Sequence, residues 1–97
     1  MFFQRFYDEN LAQASYMIAC EKTREAVIVD PSLDVSQYTR AAGAQRARIA
    51  HVTETHIHAD FVSGARALAE ATGGTLVTCD AKLAAAPRHR AKIQLLR

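Results

Sequence analysis

Three groups able to bind a metal ion fall close together: His56, His58 and Asp60. Imidazole nitrogen and carboxylate oxygen are the natural donors for zinc, iron and manganese. In extended backbone, side chains at i and i+2 leave the chain on the same side. His56 and His58 can therefore chelate one ion, with Asp60 next in the alternation. Glu54, two residues before His56, is a candidate to orient a ligand imidazole by a hydrogen bond. His-x-His in an arbitrary loop is more often solvated than metal-bound. Here an aspartate takes the next alternate position. The segment also follows a β-branched run and precedes a Gly-containing helical run, the usual place for ligands in open α/β sheets.

The remaining reactive side chains read more plainly. His51 lies within an apolar alternation and is expected to be a packed or strand-edge histidine. His89 stands among arginines and is expected to be solvated. Cys79 follows a short apolar run and reads as a small buried residue. Ser15 and Tyr16 have no recognisable base partner, so a serine nucleophile is not supported. Cys20 and Cys79 are far apart, with no Cys-x-x-Cys pair, which suits a reduced, cytoplasmic chain.

These groups need elements to hold them. Phe2 to Tyr7, Ala14 to Cys20 and Ala26 to Asp30 read as three strands, the last two joined as a hairpin through the polar stretch from Glu21 to Glu25. Asp30-Pro31-Ser32 ends the third. Ser32 or Asp34 can cap a helix that places Val35, Tyr38, Ala41 and Ala42 on one face, with Gly43 as its stop. Arg46 to Thr53 reads as a fourth strand, and Glu54 to Asp60 as a loop. Phe61 to Ala71 is predicted to be a helix with Val62, Ala65, Leu68 and Ala69 on one face. Gly73-Gly74 ends it, and Thr75 to Thr78 reads as a fifth strand. Asp80 can cap a short helix that Pro87 stops. Three strands followed by helix–strand–helix–strand predict an α/β fold: a mixed β-sheet with helices packed on one face.

The sequence of 97 residues has room for one small domain. Its hydrophobic fraction of 49% is ordinary for a globular chain. Alanine supplies 19 of those residues, so the core is thinner than the percentage implies. No apolar run approaches the roughly 18–20 residues of a membrane span, and MFFQRFYDEN does not read as a signal peptide. The net charge of +2 is uneven. Residues 1–80 carry seven Lys+Arg against ten Asp+Glu, whereas 81–97 carry five basic residues and no acid. That tail has no aromatic residue for base stacking, which argues against nucleic acid as a partner. It reads as a solvated, basic Ala/Arg-rich segment set apart from residues 1–80.

The segment Thr55-His56-Ile57-His58-Ala59-Asp60-Phe61-Val62-Ser63-Gly64 resembles the first metal motif of the metallo-β-lactamase superfamily, whose general form is His-x-His-x-Asp-His. Val29-Asp30-Pro31 after the third strand is similar to that family too. The Thr-His-x-His-Ala-Asp wording most resembles the persulfide dioxygenase and hydroxyacylglutathione hydrolase branch, including members fused to rhodanese domains. The likeness covers about residues 2–80 and implies the N-terminal half of an αββα domain. By this resemblance His56, His58 and Asp60 are metal-site residues, with Asp60 also catalytic. The family's last motif histidine is Phe61 here. That departure argues against a two-zinc hydrolase and for the dioxygenase branch, with one Fe(II) in a 2-His-1-carboxylate site. Zinc is the alternative.

The resemblance also implies a further histidine and aspartate downstream, and nothing after Asp80 looks like them. The expectation is a truncated or diverged half domain with weak metal binding and little activity alone. Three functions follow. The first is a persulfide dioxygenase acting on a glutathione persulfide-type substrate. The second is a zinc-dependent thioester hydrolase of the hydroxyacylglutathione hydrolase type. The third is a non-catalytic assembly module that covers its open face by forming a homo-oligomer or by pairing with a complementary half domain.

Overall fold

The computed structural model describes residues 1–9, 13–54, 64–78 and 92–95. Alternating side chains build the strands β1 (Phe2–Asp8), β2 (Gln13–Ala19) and β3 (Glu25–Val29). Helix α1 (Ser36–Ala44) leads to β4 (Arg48–Thr53), and helix α2 (Gly64–Thr72) to β5 (Thr75–Thr78); β6 (Lys92–Leu95) follows. All six strands join one sheet, and their spatial order is their chain order. β1, β2 and β3 pair antiparallel, whereas β4, β5 and β6 each add parallel to the strand before. The expected α/β architecture, a mixed sheet with helices on one face, is what the chain forms.

Register explains the single helical layer. Met17 lies opposite Ile28, Ile28 opposite Val52, and Val52 opposite Leu76, so the four share a sheet face. All four are fully buried and join Tyr38, Ala42, Ala65, Leu68 and Ala69 from the helices in one core. The other face carries Tyr16, Ile18, Val27, Val29 and Val77, which are only half-buried, and Phe3, which is 61% exposed. No helix covers that face among the described residues.

Three local features depart from the sequence reading. The first is the start of α1: neither Ser32 nor Asp34 caps it. Val35 holds the N-cap position with no side-chain hydrogen bond. Asp34 instead accepts a 2.7 Å hydrogen bond from the Ser36 hydroxyl. The second is its end, because Gly43 lies inside the helix. Arg46 takes the left-handed conformation, with φ of 53°. Its amide bonds the Gly43 carbonyl at 3.0 Å, and the Ala47 amide bonds that of Ala42 at 2.8 Å, the paired pattern of a Schellman ending. The third is β6, where the sequence suggested only a solvated tail. Ile93 and Leu95 alternate with Lys92 and Gln94, a strand pattern too short to stand out in a basic stretch. The proposed helix from Asp80 to Pro87 lies outside the described residues, as do Cys79 and His89.

Candidate functional site

Parallel strands β3 to β6 end on one side of the sheet, and the predicted donor segment leaves the carboxyl end of β4 there. His56, His58 and Asp60 lie outside the described residues, as does Phe61. Among the described residues no group of three His, Cys, Asp or Glu could hold a metal ion. What the structure does describe is the frame on both sides of the segment.

That frame is built on the turn after β3. Asp30 is 8% exposed and adopts φ of 55°, an uncommon state for a residue with a side chain. Its amide donates to the Thr53 carbonyl at 2.8 Å and so fixes the end of β4. Two residues later, the Ser32 amide donates to the Tyr38 hydroxyl oxygen at 2.7 Å. That hydroxyl also shares a 2.8 Å hydrogen bond with Ser15 Oγ on β2, and donates to Ser32 Oγ at 3.3 Å. Gln37 Nε2 donates to Ser32 Oγ at 2.9 Å. The Tyr38 ring is fully buried and meets Phe6 edge-on, with centroids 4.9 Å apart.

The first residue of α2 closes against the same turn. A methyl group on Gly64 would overlap the Ser32 carbonyl and lie 2.8 Å from the Pro31 oxygen. Only glycine permits this approach. Glu54, the last described residue before the segment, is half-buried, and its Oε1 is buried. Beside the turn, a cleft of about 280 Å³ is lined by Asp8, Glu9, Asp30, Asp34 and the Tyr38 network.

The other candidates fall elsewhere. His51 is exposed on the helix-free face, between Val27 and Thr75, and so is neither packed nor on an edge strand. Ser15 Oγ shares its hydrogen bond with the Tyr38 hydroxyl. Cys20 sits at the opposite end of the sheet, in the β2–β3 hairpin. The Thr23 side chain, and then the backbone amides of Thr23 and Lys22, hydrogen-bond its sulfur and hold its pKa below the ordinary thiol value. Sequence reasoning missed both this thiol and the hub role of Tyr38. The apolar spacing of α1 marks Tyr38 as core but says nothing of its hydroxyl.

A mixed sheet whose strand–helix junction carries two imidazoles and a carboxylate suits a divalent metal, and the donor set fits zinc or iron alike. The chain belongs to the Metallo-beta-lactamase superfamily, whose profile matches residues 9–97. The superfamily is one of metal-binding proteins, generally of zinc or iron. Two hydroxyacylglutathione hydrolases, from Polaromonas sp. and Nitrosococcus oceani, are each 38% identical to it over 63 residues, which is 65% of this chain and 24% of theirs. The chain thus spans about a quarter of the length of these curated relatives. A metallo-beta-lactamase from Staphylococcus aureus superposes with a TM-score of 0.84 at 39% identity, covering 100% of this chain and 29% of that one. The ETHE1 structure from Myxococcus xanthus gives 0.75 at 29% identity, covering 97% and 41%. These relatives agree with the branch that the motif resembles.

Proposed function

We propose that residues 55–63 contribute the first ligands of a mononuclear iron site, and that the chemistry served is oxidation of a glutathione persulfide-type substrate. The observation that carries this reading is the donor order His56-x-His58-x-Asp60 followed by Phe61. A binuclear site of this family calls for an imidazole where this chain has a phenyl ring. His56 and His58 would hold the ion, and Asp60 would bind it or orient a group beside it. When bound, iron supplies the redox chemistry with oxygen, whereas zinc would supply Lewis acidity toward a thioester. The chain's own part is to present donors at the carboxyl end of β4.

The similarity to hydroxyacylglutathione hydrolases favours a second reading, a zinc-dependent thioester hydrolase acting on a related glutathione substrate.

Metal analysis of the purified chain tests the site. Wild-type protein incubated with Fe(II) or Zn(II) and desalted should retain metal, and His56→Ala should retain several-fold less. Equal retention by both would sink the assignment. Sulfite from glutathione persulfide and oxygen, against thiol from a hydroxyacyl thioester of glutathione, separates the two chemistries in preparations that turn over.

A further inference from the structure

We propose that Tyr38 is a positioning residue for the donor segment, acting through the turn at 30–32. One short turn holds both flanks of that segment. Asp30 bonds Thr53, the last residue of β4, at 2.8 Å. The Ser32 and Pro31 carbonyls receive Gly64, the first residue of α2, at a separation no side chain could share. The spacing between the two flanks is therefore set by a piece of backbone outside the segment.

That backbone also has a tie to the core outside itself. Asp30 is in the left-handed region without being glycine, and Pro31 has no amide to donate. The turn is fixed from below by the Tyr38 hydroxyl, which takes the Ser32 amide at 2.7 Å and reaches Ser15 on β2 at 2.8 Å. Tyr38, itself fully buried, thus links β2, the turn and α1 through one oxygen. A buried hydroxyl with this many partners has a defined position, and so does the turn it holds. Support behind a metal ligand typically governs affinity by about 10–100-fold. Tyr38 would exert that control without touching the metal.

Tyr38→Phe keeps the ring against Phe6 and removes only the hydroxyl. The comparison is Ile49→Val, which removes one buried methyl group near the other end of β4. Hydrogen exchange on the metal-free chain is the first readout. Ser32 loses its acceptor and must exchange faster. The informative amide is Asp30, whose own bond to Thr53 is untouched by the substitution. It should exchange about tenfold faster in Tyr38→Phe and much less so in Ile49→Val. Acceleration confined to Ser32, or equal in the two variants, overturns the proposal.

The second readout is zinc affinity by competition with a chromophoric chelator, and it rests on the assignment of ligands to residues 55–63. Tyr38→Phe should lose about tenfold in affinity while Ile49→Val stays near wild type. Unchanged affinity in Tyr38→Phe, with His56→Ala impaired, overturns the positioning role. If His56→Ala binds zinc as well as wild type, the ligand assignment fails, and Asp30 exchange still decides whether Tyr38 holds the turn. Should Tyr38→Phe not fold, Ser15→Ala removes one partner of the same hydroxyl and should move both readouts in the same direction by less.

Discussion

Cys20 shows how a short polar turn changes a side chain's chemistry. The hairpin from Cys20 to Glu25 closes with the Arg24 amide on the Cys20 carbonyl at 2.9 Å, which brings Thr23 and two backbone amides to the sulfur. Those donors favour the thiolate, so the folded-state pKa lies below the unfolded one. The linked stability is therefore gained as pH rises from the folded pKa to the unfolded value, and is absent in acid. In a Cys79→Ser background, iodoacetamide should react with Cys20 at a rate that reaches half its maximum at lower pH than for an unstructured cysteine peptide. Thr23→Ala should move that midpoint upward. Coincident profiles for protein and peptide would show that the turn leaves the thiol unchanged. At this scale the sequence was informative where residue type is itself the signal, as in His56, His58 and Asp60. It was silent where meaning comes from distance along the chain. Ser15 and Tyr38 are 23 residues apart, and only the fold makes them partners.

The two helices each contain a glycine with the opposite role. Gly43 sits in the last turn of α1, where an added methyl group would meet no atom within 4 Å. Gly43→Ala should therefore raise stability by about 0.5–1 kcal/mol, through better helix propensity and a less flexible unfolded chain. Gly64 opens α2 against the Pro31 and Ser32 carbonyls. Gly64→Ala should cost about 3 kcal/mol or more, since backbone must move to admit the methyl group. Urea midpoints for the two variants check both signs, and a neutral Gly64→Ala would show that the helix and turn are not in contact. Five strands and both helices could be read from hydrophobic period and turn residues. Helix ends could not. A glycine near the end of α1 looked like its stop, but an arginine takes the left-handed position, because the chain must turn there to start β4. β6 was hidden for another reason: its four residues, Lys92 among them, carry too little alternation to stand out in a stretch with five positive charges.

Across the whole sheet, protection against exchange should follow position. β3 and β4 are paired on both sides and supply Ile28 and Val52, both fully buried, to the core. β6 is paired on one side among the described strands, and its Gln94 is exposed. Native-state hydrogen exchange should be slowest at Ile28 and Val52 and faster by orders of magnitude in β6. Uniform protection through all six strands would mean that the sheet opens only as a unit. The same strand order bears on how the protein is made. Ribosomes release the chain amino end first, at roughly 5–20 residues per second. Among the described strands, each emerges after the earlier neighbour it pairs with, and none is inserted between two that have already paired. From β1 to β6 the described part of the sheet can grow in the order of synthesis, one exposed edge at a time.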